Sequence, residues 1–262
     1  MKYGFLGCGN MGGAIARALA KKCTDFAVTD RSGKAAGLAA ELCCAYASAQ
    51  TITRNAERIF LAVKPQMMAG VLEPLRPLLA EKKPVLITMA AGLTMERIQE
   101  MAGCELPVIR IMPNTPVAVG KGVTLYCANE RVTPEILEDF LADMEFSGIL
   151  DPVEEKLFDA AGTVSGCGPA YLYMFIEAMA DGAVACGVPR AKAMMYAAAT
   201  MEGAARMVLE TKQHPGVLKD AVCSPGGSTI AGVKALEAGA FRGTVMDCIQ
   251  AACKRNSELG KQ

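Results

Sequence analysis

The segment Gly7-Cys8-Gly9-Asn10-Met11-Gly12 constrains this chain more than any other feature. It has the spacing G-x-G-x-x-G, follows directly on the run Tyr3-Gly4-Phe5-Leu6, and opens a helical pattern carrying Ile15, Ala18 and Leu19. In that context the first glycine permits a tight turn, the second lets backbone approach a pyrophosphate, and the third lets helix and strand pack closely. The amino end of the helix offers unpaired amides and the positive end of its dipole to phosphates. A structural glycine turn is the alternative; the preceding strand, the following helix and the N-terminal position all favour a dinucleotide site.

Apolar runs bounded by Gly, Pro or Asp predict strands at 3–7, 26–30, 58–63, 85–89, 108–112 and 123–127. Helical patterns fall between and after them, at 12–21, 33–42, 66–79, 94–101 and 134–146. Strands alternating with helices predict parallel pairing, crossover helices and a sheet covered on both faces. The alternation stops after Asp151-Pro152, and long Ala/Met/Gly-rich helical patterns follow at 153–161, 169–186, 190–210, 217–222, 229–238 and 241–258. The expected organisation is an α/β dinucleotide-binding domain, residues 1–151, and an all-helical domain, residues 152–262. In the second, Met194 to Ala199 are apolar nearly all round their helix. So small a domain has little interior to cover such a helix, which predicts a homodimer interface; a tightly packed monomeric bundle is the alternative.

Composition narrows the function classes. With 27 basic and 27 acidic residues in 262, the net charge is zero and gives no electrostatic support for nucleic acid or an acidic membrane surface. Small molecules and protein partners are expected instead. No apolar run reaches the length of a membrane span, and the first residues lack a signal-peptide pattern. The 11 cysteines are an odd number without a C-x-x-C spacing, which suits a reducing cytoplasm and buried packing better than disulfides. With His214 the only histidine, lying in the turn-like Gln213-His214-Pro215-Gly216, no metal site and no histidine-based triad is expected. Glu177 and Asp181, four apart on a helix, read as salt-bridge partners rather than an acid/base pair.

Two further segments carry chemistry. Asp30 ends the second predicted strand, where a carboxylate can accept from the ribose hydroxyls of NAD; Arg31 and Ser32 follow, and would suit the 2′-phosphate of NADPH if Asp30 turned away. The residues leave the two coenzymes open. Ser224-Pro225-Gly226-Gly227-Ser228-Thr229 precedes a helical pattern that Gly239 can end. Its glycines expose successive amides fit to cradle a carboxylate; an ordinary helix start capped by Ser or Thr is the alternative.

With the glycine loop, several blocks make the chain resemble the pyrroline-5-carboxylate reductases nearly end to end. They are Ala62-Val63-Lys64-Pro65-Gln66, Met89-Ala90-Ala91-Gly92, Arg110 to Pro116 (Arg-Ile-Met-Pro-Asn-Thr-Pro), Ser165 to Tyr171 (Ser-Gly-Cys-Gly-Pro-Ala-Tyr) and Ser224 to Gly232, the last being the family's most specific signature. The resemblance implies a Rossmann domain followed by a helical dimerisation domain, with higher assemblies of dimers known in the family. It implies reduction of 1-pyrroline-5-carboxylate to L-proline, the last step of proline synthesis, by hydride transfer from NADPH or NADH. Leu6, Gly7, Cys8, Gly9, Asn10, Met11 and Gly12 would then hold the pyrophosphate. Ala62, Val63, Lys64 and Pro65 would lie along the coenzyme at the end of the third strand, and Met89, Ala90 and Ala91 would approach the nicotinamide. Ser224, Gly226, Gly227 and Ser228 would hold the substrate carboxylate, and the Thr229 hydroxyl would face the ring nitrogen. Ser228 stands where many relatives have Thr or Ala, and Asp30 is more acidic than is usual in NADPH-preferring members.

A 3-hydroxyacid dehydrogenase also joins a Rossmann domain to helices, but uses a lysine on the helix after a glycine motif like 162–168; Pro169 to Met174 has none. A non-catalytic dinucleotide sensor is the other alternative, and the intact Ser-Pro-Gly-Gly cradle speaks against it.

Overall fold

A computed structural model describes residues 1–259; residues 260–262, the end of the expected second domain, lie outside the described residues. The chain forms two compact units: Met1–Cys167 together with the C-terminal residues from Ala252, and Gly168–Ala251.

The first unit runs β1 (Tyr3–Leu6), α1 (Asn10–Leu19), β2 (Phe26–Thr29), α2 (Lys34–Leu42), β3 (Ala45–Tyr46), α3 (Ala49–Asn55) and β4 (Arg58–Leu61). It continues with α4 (Met68–Leu72), α5 (Arg76–Lys82), β5 (Val85–Thr88), α6 (Met95–Ala102), β6 (Val108–Met112), β7 (Gly122–Ala128), α7 (Pro134–Asp143), β8 (Gly148–Pro152) and α8 (Phe158–Gly162). A π-helical turn, Thr163–Cys167, closes it. The strands form one sheet in the order β3-β2-β1-β4-β5-β6-β7-β8. Side chains alternate across it, so Tyr3, Phe5, Phe60 and Ile87 face one core with Ile15, Leu38 and Phe140. Leu6, Ile59, Leu61 and Leu86 face the other, with Ile52, Leu72 and Ile98.

Several expectations change. The sheet is not wholly parallel: β7 runs antiparallel to β6. Only a 3₁₀ turn, Thr115–Val119, fits between them, too little chain for a parallel crossover. The expected helix at 66–79 is two short helices, because Pro74 and Pro77 each remove an amide donor from the ladder. The strand ending before Ala62 is fourth in sequence, since the short β3 precedes it. The helix expected at 134–146 ends at Asp143.

The second unit contains α9 (Gly168–Ala185), α10 (Arg190–Thr211), α11 (Pro215–Ala221), α12 (Ser228–Ala238) and the start of α13 (Phe241–Leu259). Its buried apolar centre, where α9 meets α10, consists of Ala180, Ala193 and Ala197. Tyr173, Met174 and Met195 are 59%, 69% and 57% exposed. A lone copy is therefore not the tightly packed bundle kept as an alternative. No helix among the described residues is long and apolar enough to cross a membrane.

Candidate functional site

Gly7 follows β1 with φ +107°, and its amide donates to the Thr29 carbonyl at 2.9 Å. A Cβ there would lie 2.4 Å from the Ala62 carbonyl oxygen, so only glycine lets β1 pass the end of β4. A Cβ on Gly12 would meet the Gly7 oxygen at 2.5 Å, which ties the start of α1 to the same crossing. Gly9 caps α1 in extended conformation with no side-chain oxygen, and a Cβ there would meet nothing within 4 Å. Closure at Gly7 and Gly12 with open space at Gly9 is what a pyrophosphate seated on the helix amides needs.

That open space belongs to a cavity of about 520 Å³ at the ends of β1, β2 and β4. Of the expected coenzyme residues it brings together Leu6, Gly7, Cys8, Gly9, Asp30, Arg31, Ser32, Ala62, Val63 and Lys64. Asn10 lines an adjoining cavity of about 370 Å³, which shares Cys8 and Gly9 with the first. Met11, Gly12, Pro65, Met89, Ala90 and Ala91 line neither of these two cavities. The cavity also has a wall that no motif announces: Met67, Val71, Pro74 and Leu75 from the proline-broken segment, with Ala49 and Gln50 from α3. The two prolines and the Ser48 cap, which accepts from the Thr51 amide at 3.1 Å, are the signals that could have placed these elements.

Asp30 turns back on its own chain. One carboxylate oxygen accepts from the Ser32 hydroxyl at 2.6 Å and the other from the Ala35 amide at 3.2 Å. Burial pushes its pKa up, but the Ser32 hydroxyl and the amides of Ala35, Gly33 and Lys34 outweigh this and hold it below the usual carboxylate range. Arg31 and Lys64, both lining the cavity, have no ion pair among the described residues. Cys8 donates to the Thr29 carbonyl; burial, with the nearby Asp30 charge, pushes its thiol up to about 12, so it is protonated and unreactive near neutrality.

In the second unit, Gly226 takes φ +69° and the Gly227 amide donates to the Ser224 carbonyl at 3.0 Å. Gly227, not Ser or Thr, caps α12, and it supplies no side-chain acceptor. Ser228 and Thr229 are the first two residues of that helix and are exposed. The first-turn amides thus have no capping oxygen and remain suited to an anion. Gly239 does end α12, but the left-handed conformation falls on Ala240, at φ 53°. His214 caps α11, its Nδ1 accepting from the Gly216 amide at 3.1 Å, and Asp181 pairs with Arg190. No group of metal-ligating side chains occurs among the described residues.

Residues 155–259 match the family described as pyrroline-5-carboxylate reductase dimerisation, and residues 2–92 match NADP oxidoreductase coenzyme F420-dependent. Over 266 residues the chain is 41% identical to the pyrroline-5-carboxylate reductase of Escherichia coli (strain K12), covering 99% of this chain and 98% of that one. It resembles the crystal structure of Plasmodium falciparum pyrroline carboxylate reductase with NADP bound, at TM-score 0.87 and 33% identity over 99% of each chain. It also resembles 1-pyrroline-5-carboxylate reductase from Streptococcus pyogenes, at TM-score 0.90 and 32% identity over 98% of each.

Proposed function

The chain belongs to the pyrroline-5-carboxylate reductase family, and from that premise we propose how its residues carry out the reaction. The enzyme reduces 1-pyrroline-5-carboxylate to proline with NAD(P)H. When bound, the reduced nicotinamide supplies a hydride to the imine carbon. The observation that carries the assignment of sites is the cavity over the amino end of α1, whose wall is open at Gly9 and closed at Gly7 and Gly12. Leu6 to Gly12 hold the pyrophosphate there. Ala62 to Pro65 run along the coenzyme, and Met89 to Ala91 lie on its nicotinamide side.

Asp30, engaged by Ser32 and the first amides of α2, has little acceptor capacity left for ribose hydroxyls. Arg31 and Lys64 give the cavity positive charge, while the Ser32 hydroxyl is spent on Asp30. This chain therefore selects NADPH over NADH, despite its acidic residue at the end of β2. The test is kcat/KM with each coenzyme: NADPH is favoured by about tenfold or more, and Arg31→Ala removes most of that ratio. A preference for NADH in the native enzyme overturns this assignment.

Ser224, Gly226, Gly227 and Ser228 cradle the substrate carboxylate at the amino end of α12, mainly through backbone amides. The Thr229 hydroxyl orients the ring nitrogen, donating to the neutral imine or accepting from its protonated form. A protonated cyclic imine is already a strong hydride acceptor, so the protein's task is to position it and exclude water. This agrees with a lone histidine used as a helix cap. α9 contains no lysine, which a hydroxyacid dehydrogenase would require. We further assign a homodimer, and higher assemblies of such dimers, built on the exposed apolar faces of α9 and α10. We also assign a cytoplasmic location, in keeping with free cysteines throughout the described residues; its partners are small molecules and a second copy, not nucleic acid. We place the functional division at 151/152, near the end of β8 at Pro152 and the start of the dimerisation match at 155; the compact second unit starts at Gly168.

A further inference from the structure

Arg110, on β6, is the least exposed charged side chain that makes ion pairs, at 3%. One guanidinium nitrogen lies 3.2 Å from Glu155 Oε1 and another 3.0 Å from Asp159 Oδ1, and the group sits 4.5 Å over the Phe158 ring. Its Nε is buried with no partner. Buried ion pairs with such unmet groups add little stability compared with apolar packing, so stability alone is a poor reason for this arrangement. The same Glu155 Oε1 also accepts from the Met95 amide at 2.8 Å. Met95 begins α6, and its amide is one that a helix start leaves unpaired.

That amide ends the loop that leaves β5 at Met89. Within the loop the polar contacts are short-range and few: Ala90 donates to the Thr88 hydroxyl at 3.3 Å, Leu93 donates to the Ala90 carbonyl at 3.4 Å, and Gly92 turns the chain at φ +74°, while Ala90 is buried in the core and Leu93 packs against it. Thr94 caps α6 by accepting from the Arg97 amide. Glu155 supplies a long-range polar tie to the end of the loop, beside the apolar packing. Its carboxylate is itself only half-buried, and Arg110 fixes its orientation.

We propose that Arg110 and Glu155 are positioning residues for the reaction. Arg110 orients Glu155, and Glu155 anchors the loop of Met89 to Ala91 against which the nicotinamide half of the coenzyme is held. The inference rests on the assignment of that loop to the nicotinamide side. Asp159 remains to Arg110 when Glu155 is removed, so the fold survives the change.

The test compares Kd by calorimetry for NADP⁺ and for adenosine 2′,5′-bisphosphate, which lacks the nicotinamide half, using the full-length enzyme. Glu155→Ala weakens NADP⁺ by about three- to tenfold, leaves the bisphosphate within about twofold, and lowers Tm by less than about 4 °C. It also reduces the change in nicotinamide fluorescence when NADPH binds. Glu155→Gln, which keeps an acceptor oxygen, recovers part of each effect. Equal changes for the two ligands, or none, overturn the proposal. Ala91→Leu separates its failure from that of the underlying reading, because bulk on the loop discriminates between the ligands only if the loop meets the nicotinamide. If Ala91→Leu discriminates and Glu155→Ala does not, the anchor is wrong; if Ala91→Leu does not discriminate, the loop assignment fails and the anchor with it.

Discussion

In the sheet unit Phe5, Phe60 and Phe140 are sealed from solvent within a single chain, whereas in the helical unit Tyr173, Met174 and Met195 are mostly exposed and alanines form the buried centre. The two units use similar amounts of apolar sequence to different ends. Crossover helices cover the sheet on both faces with residues from the same copy. The helical unit leaves apolar side chains of α9 and α10 exposed, and in the proposed dimer a second copy would cover them, in keeping with the match to a dimerisation family. On the proposed assignment, coenzyme binding is built on the self-sufficient unit, and the substrate cradle at α12 on the one that would depend on a second copy.

The contrast breaks most visibly under two substitutions. Phe60→Ala leaves a cavity between the stacked Phe5 ring and Phe140, and should cost about 3–5 kcal/mol whatever the protein concentration. Met195→Glu should leave the sheet unit folded but yield monomers in sedimentation, and should remove the rise of Tm with concentration expected of the native enzyme. If Met195→Glu remains dimeric and active, the proposed interface is misplaced.

Within the helical unit, Thr229→Val should lower kcat by about ten- to a hundredfold, equivalent to about 1–3 kcal/mol, with Tm nearly unchanged. Ser228→Ala should change kcat by less than about twofold, because the backbone is the relevant donor there. Equal turnover by the two variants removes Thr229 from the chemistry.

Acid should act on the sheet unit. Burial pushes the Asp139 pKa up, but hydrogen bonding and charge from Lys2 and Arg58 prevail and hold it below its ordinary 3.8. Its contribution is present above that value and is lost as pH falls below it through the native pKa. Asp139→Asn should therefore lower Tm at pH 7 and have little effect near pH 2. The half-exposed carboxylate limits the effect to under about 1 kcal/mol. One small effect expected is a gain: Ala240→Gly relieves the left-handed turn after α12 and should stabilise by about 0.5–1 kcal/mol, read as a higher Tm.

The glycine loop could be read in the sequence because sterics at Gly7 and Gly12 leave one residue type, and because the flanking strand and helix are strongly patterned. Residues that depend on long-range partners could not. Asp30 is the same carboxylate whether it accepts from a ribose or from the amides of α2, so its identity left the coenzyme open. The reversal at β7 came from the shortness of a connection, which apolar periodicity does not reveal. β8 and β3 escaped notice as edge strands with mostly exposed residues, β3 being only 2 residues long. Met67 and Val71 belong to ordinary helix-forming sequence and become a cavity wall only through the prolines that follow. Arg110 stands in one of the blocks that carry the family resemblance, but nothing local ties it to Glu155 or to the amide of Met95.

The path of the backbone imposes an order on synthesis. Asn256, near the end of α13, donates to the Thr163 hydroxyl at 3.2 Å, and Thr163 in turn donates to the Asp159 carbonyl. When residues 1–167 have left the ribosome, the nucleotide-binding unit can assemble its sheet but not this last contact at its π-helical turn. That contact forms only after the helices in between have been translated, so a nascent chain cut short by a premature stop loses it even though every strand is present.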